Sequence, residues 1–260
     1  DWSHAEWVLH NYASNSNVYG RLDWPIDLPR GTQGIRVAYG AAQLVGDAAH
    51  YFAVSNVQEP VNSWQNYMVS EGWASPTWVF RRLFYTSTPS LATKPFGRWI
   101  EVANLEASGG HMNPGDMRAE MDGSVHVVWN EWHVEPRLYG LLVANLRQSQ
   151  RLMYAKIKDG SILTRRTLIE SFGGPEDLIG PNTPSSVNPG APTSARLHRL
   201  ASGQLVLLYS LDSAAHRWGP LRNQMMFLGA DGEPGQVIDL PFSPALKTFV
   251  LANERAGSAP

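Results

Sequence analysis

The sequence predicts an all-β chain built from repeated four-stranded antiparallel units, on three observations. Short β-branched and aromatic runs alternate with two-residue turns such as Asp122-Gly123, Asp159-Gly160 and Asp231-Gly232. Two sets of landmarks recur at nearly one period. The first-turn glycines Gly46, Gly123 and Gly203 lie 77 and 80 residues apart, and the third-strand aromatics Tyr85, Tyr154 and Phe227 lie 69 and 73 apart. Finally, 10 Trp with 23 Gly and 18 Pro is a turn-rich β composition.

The elements follow in order. The first repeat, 35–105, reads IRVAYGAAQLV, AHYFAVSN, RRLFYTST and GRWIEVANL. The second, 115–170, reads MRAEM, SVHVVWNE, RLMYAKI and SILTRRTLIE. The third, 194–241, reads SARLHRL, QLVLLYSL, QMMFLGA and GQVIDLP. Each sheet is apolar on both faces and must stack on a neighbour, which is the signature of a β-propeller forming one domain over 1–260. Three blades do not close a ring. The segments 1–30 and 245–260, with HAEWVLHNY, VYGRLDWPI and KTFVLANER, are expected to supply a closing blade. The alternatives are a ring of four to five blades or a piece of a larger one.

In such a blade the second-to-third and inter-blade loops emerge at one end. The long loops 57–80, 132–150, 212–223, 106–116 and 171–193 therefore crowd one face, and the tight turns the other. On that face the sequence places the aromatics Trp64, Trp132 and Trp218 beside Arg137, His216, His111, His133, Tyr139 and Glu131. Rings that stack on pyranose faces, with polar groups for hydroxyls or an acidic substituent, suit a sugar. Arg36, Arg118 and Arg196, each read at the start of an innermost strand, are expected to converge on one carboxylate; the alternative is ordinary inter-blade ion pairs. His126 and His198 fall inside strands and are read as structural, and Asp47 and Asp122 as turn residues.

Several classes are set aside. The net charge of −2 gives no basic excess for nucleic acid. There is no cysteine, and no HxH or HExxH spacing, so neither a metal nor a cofactor is expected. No apolar run reaches the ~18–20 residues of a membrane helix.

The stretch MDGSVHVVWNEWH followed by RLMYAKIKDG resembles the blade pattern of BNR-repeat, sialidase-like propellers, including polysaccharide-lyase-like members. The Asp-box spacing itself is not met, since Asp122 and Gly123 are adjacent. The resemblance implies a carbohydrate-active context, with His133 matching the histidine that follows the aromatic end of that strand. Arg137, Tyr139 and His111 are its nearest partners by position. The expectation is a secreted bacterial monomer, extracellular or periplasmic, that acts on an acidic oligo- or polysaccharide by β-elimination or glycoside hydrolysis. In the elimination version His133 or Tyr139 takes the proton, His111 protonates the leaving oxygen, and arginine neutralises the uronate. The alternative is a non-catalytic propeller that binds carbohydrate or protein.

Overall fold

The computed structural model describes residues 3–26, 34–73, 77–142, 148–173, 191–212 and 222–246. The described chain opens with a hairpin, β1 (His4–Asn11) and β2 (Ser16–Asp23), which pair with each other alone. Blade 1 consists of β3 (Val37–Val45) and β4 (Ala48–Ser55), then an insertion of β5 (Val57–Gln58), α1 (Asn62–Ser70) and β6 (Trp78–Val79), then β7 (Arg82–Thr88) and β8 (Ile100–Asn104). Blade 2 consists of β9 (His111–Ala119), β10 (Val125–Trp132), β11 (Gln148–Lys158) and β12 (Ser161–Gly173). A 3-10 turn (Pro136–Leu138) and α2 (Tyr139–Leu142) lie between β10 and β11. Blade 3 consists of β13 (Ala191–Arg199), β14 (Leu205–Asp212), β15 (Arg222–Leu228) and β16 (Pro234–Leu240). All three blades are antiparallel meanders, and the fold is a β-propeller. At the Asp159-Gly160 turn both residues have positive φ, 50° and 74°, the primed geometry that matches the twist of the flanking strands.

Blade 2 sits between the other two because β10 is apolar on both faces. Val127 and Trp129 pack with Phe52, Leu83 and Val102 of blade 1. Val128, joined by Leu152 and Tyr154, packs with Leu197, Leu207 and Tyr209 of blade 3. Trp129 is fully buried, and its truncation to alanine would cost about 3–5 kcal/mol.

Side chains also stitch the innermost strands together. The Gln43 carbonyl oxygen accepts the Ala119 N–H at 2.7 Å, tying β3 to β9. Asp116 accepts the Leu197 N–H at 2.9 Å and its neighbour Met117 N–H at 2.8 Å, tying β9 to β13. Asp116 is thus an inter-blade strut.

Two expectations are corrected. The innermost strand of blade 2 begins at His111, because Pro114 and Gly115, which read as loop residues, lie within β9, with Gly115 as a bulge. The 57–80 loop contains α1. The N-terminal hairpin packs on the face of blade 1 turned away from blade 2: Trp24 joins Ile35, Val37, Ala53 and Phe84, and Trp99 Nε1 donates to the Asp23 carbonyl at 2.8 Å. KTFVLANER lies outside the described residues.

Candidate functional site

At the long-loop end, the insertion of blade 1 and the β10–β11 loop of blade 2 meet. Glu59 Oε1 accepts the Val61 N–H at 3.0 Å just before α1 begins. The helix then buries Met68 against Val79, Val134 and Leu138, so it docks on the 3-10 turn of the neighbouring blade.

Beneath α1 lies a sealed ionic cluster. Arg81 donates to both oxygens of Glu59, at 2.9 and 2.5 Å, and through Nε to the Gly110 carbonyl at 3.2 Å. Its other neighbour is Glu135 Oε2 at 3.6 Å, and the Trp64 ring lies across the guanidinium at 4.9 Å. Arg137 pairs with Glu135 Oε1 and donates to the Trp78 carbonyl at 2.7 Å. Arg81, Glu59 and Glu135 are each no more than 3 % exposed. Burial pushes the Glu135 carboxyl above the usual carboxylate range, against the pull of Arg137 and Arg81. These carboxylates anchor the loops from within and do not face a dissolved substrate.

Above the cluster two exposed aromatic rings alternate with part-buried guanidiniums. Arg36 lies over Trp78 at 5.7 Å and Arg137 over Trp73 at 5.7 Å, while Trp78 and Trp73 remain 39 % and 48 % exposed. A ladder of ring contacts crosses from blade 1 to blade 2: Tyr39 to Phe80 at 5.5 Å, Phe80 to His111 at 5.4 Å and His111 to Trp132 at 5.7 Å. Burial lowers His111 to about 4; a hydrogen bond that the ring donates to the Asn113 side chain opposes this, and the charges of Arg137 and Arg81 reinforce it. Its imidazole is therefore neutral at neutral pH.

The mouth brings together His111, Trp132, Arg36, Arg137 and Trp64 of the expected residues. Trp64 covers Arg81 rather than facing outward. His133 follows β10, is partly buried, and its backbone N–H donates to the Ser149 carbonyl at 3.0 Å. Tyr139 opens α2, and its side chain lies outside the described part; His216 and Trp218 lie outside the described residues altogether.

Glu131 is 3 % exposed, accepts from Trp129 Nε1 at 3.1 Å, and has Arg151 at 3.7 Å and Arg165 at 4.0 Å. It belongs to a cross-strand ion row and not to the mouth. The convergent arginine trio is also corrected. Because β9 starts early and carries the bulge, Arg118 sits near its tight-turn end, paired with Glu120 at 3.0 Å. Arg196, in the second half of β13, donates to the Gly115 carbonyl and to that of Ala195 at 3.0 Å. Only Arg36 is at the mouth. Sequence reasoning missed Arg81, Glu59, Tyr39 and Phe80; no motif marks them, since each acquires its partners from another part of the chain.

Two cavities, of about 740 and 630 Å³, open at the opposite, tight-turn end, one at each blade junction. The first is lined by His50 and Tyr85, hydrogen-bonded at 2.8 Å, and the second by His126, which is hydrogen-bonded to Tyr154 at 2.6 Å. Asp122 accepts the Ser124 N–H at 2.9 Å, an ordinary turn role. Among the described residues no group of three or more His, Asp or Glu is placed to hold a metal.

No family model and no curated protein sequence matches the chain. Among known structures it is similar to a β-xylosidase (TM-score 0.42, 11 % identity, covering 78 % of this chain and 59 % of that one). It is similar to an endo-arabinase from Bacteroides thetaiotaomicron VPI-5482 (TM-score 0.42, 10 % identity, 92 % and 80 %). A protein of unknown function from Dyadobacter fermentans DSM 18053 is similar too (TM-score 0.46, 10 % identity, 93 % and 71 %). The chain spans less than two thirds of the length of the xylosidase.

Proposed function

We propose that the protein is a secreted carbohydrate-active propeller that holds an acidic oligosaccharide across its long-loop mouth. The observation that carries this is the strip of Arg36, Trp78, Arg137 and Trp73, in which exposed rings that stack on sugars alternate with part-buried guanidiniums, a group that pairs with carboxylates. The buried cluster around Arg81 holds that strip in place, so the mouth is formed before ligand arrives. The resemblance of the second repeat to BNR-repeat propellers points the same way.

Calorimetric titration with trigalacturonate and with xylotriose tests it. Trp78→Ala and Trp73→Ala are each expected to weaken binding of the acidic sugar about tenfold. Arg137→Met is expected to weaken the uronate selectively. A parent protein that binds neither sugar sinks the reading.

In a second version the glycan is also cleaved by β-elimination; the His111 imidazole, held neutral by burial and by the charges of Arg137 and Arg81, is not the acid expected of it. His133 and Tyr139 are then the bases to test. His133→Ala is expected to lower release of unsaturated uronate, followed by its ultraviolet absorbance, about a hundredfold or more. Sugar binding with no such release leaves a lectin-like module.

A further inference from the structure

Tyr39 occupies an unusual position for a residue of an innermost strand. Its strand neighbours Val37 and Ala41 are 4 % and 7 % exposed, yet Tyr39 is 65 % exposed. The register explains how. Ala38 pairs with Val54 and Ala41 with Phe52, so Tyr39 and Gly40 together oppose Ala53 in a bulge. Tyr39 takes φ +52°, the left-handed region that a tyrosine avoids because its Cβ crowds the following carbonyl. The following Gly40 admits the bulge, since a Cβ there would lie 2.5 Å from the Tyr51 ring.

Among the described residues, the contacts of Tyr39 do little to repay that conformation. The described ring contact of Tyr39 is edge-on to Phe80 at 5.5 Å, and a ring two-thirds exposed gains little by burial. The innermost strands of blades 2 and 3 also bulge, at Gly115 and between Pro192 and Ser194, but without a non-glycine residue at positive φ. Blade 1 therefore presents an exposed ring where the others keep only a kink. The ring stands at the outer end of the ladder that runs through Phe80 to His111 and Trp132, and Phe80 is two residues from Trp78. Strained, exposed residues of this kind mark ligand contacts.

We propose that Tyr39 is a specificity-determining contact of the mouth, its ring turned outward by the bulge to stack on a pyranose ring of the bound glycan. This rests on the glycan reading above and adds to it the ring that selects flat, unsubstituted sugar faces.

The experiment compares Tyr39→Gly, Tyr39→Phe and Trp78→Ala by thermal melting and by titration with trigalacturonate and xylotriose. Tyr39→Gly removes the ring and relieves the backbone. It is expected to melt no lower than the parent while binding the better of the two sugars about tenfold more weakly. Tyr39→Phe keeps the ring and is expected to bind within about threefold of the parent. A Tyr39→Gly variant that melts clearly lower would make the ring a structural staple and overturn the proposal. So would parental affinity in Tyr39→Gly while Trp78→Ala has lost binding, an outcome that leaves the glycan reading standing. A parent that binds neither sugar removes both.

Discussion

Replacing Arg81 by methionine is expected to lower the stability of the protein by about 3–5 kcal/mol, measured as a fall in the urea unfolding midpoint. The reason lies in the two carboxylates that would remain. Glu59 and Glu135 are both almost fully buried, and the Arg81 guanidinium touches both. Without it Glu59 loses its bidentate partner, and Glu135 keeps only Arg137 at its other oxygen. Arg81→Lys is expected to recover part of the loss, because an ammonium restores the charge without the planar fork. Adding Glu59→Gln to Arg81→Met is expected to recover part as well, since it removes the stranded charge. The same variants should weaken sugar binding, because the cluster ties the α1 insertion of blade 1 to the β10–β11 loop of blade 2. An Arg81→Met protein within about 1 kcal/mol of the parent would show that the cluster anchors nothing.

Acid is expected to destabilise the fold well above the range in which ordinary carboxylates titrate. His126 is 3 % exposed, hydrogen-bonded to Tyr154, and lowered to about 4 by burial, with Glu120, Arg199, Lys156 and Asp122 also acting on it. His111 is lowered to about 4 as well, again chiefly by burial, and His50 shifts in the same direction. An unfolded chain titrates these groups near 6.5. Between about 6.5 and 4 the unfolded state therefore holds more protons than the folded one, and stability falls as pH falls through that window. Above about 6.5 this contribution is fully present. Each of the two strongly shifted histidines accounts for a loss of about 3 kcal/mol, complete once the pH is below 4.

Glu135 acts in the opposite sense, since burial raises its carboxyl and the folded state takes up that proton first. Two strongly shifted histidines against one carboxyl leave a net loss. Urea midpoints measured from pH 7 to 4.5 should fall steadily, and more shallowly in His126→Leu. A flat profile in the parent would mean that neither imidazole is held neutral by the fold.

The legible parts of this protein are those set by neighbours along the chain. Turn glycines such as Gly123 and Gly203 and the alternation around them located nearly every strand of the three blades within a few residues, because hairpin register is decided by the turn and the residues beside it. The loop lengths predicted that the long connections of blades 1 and 2 meet at one end, for the same reason. Arg118 shows where this fails. Pro114 and Gly115 are locally loop-like, yet packing between two blades draws them into β9 and moves Arg118 to the far end. Glu131 failed differently: a carboxylate at a strand end looks available until Trp129, Arg151 and Arg165 are seen around it.

The amino-acid order alone determined the kind of sheet, its threefold repetition and the end at which the variable loops gather, since these follow from side-chain alternation and turn chemistry within a few residues. Only the tertiary structure decided which charges are buried together, which ring stands exposed on a bulge and which arginine reaches the mouth. Those outcomes depend on contacts such as Arg81 with Glu135 or Gln43 with Ala119, whose partners lie some 50 to 80 positions apart in the chain and meet only when whole blades stack.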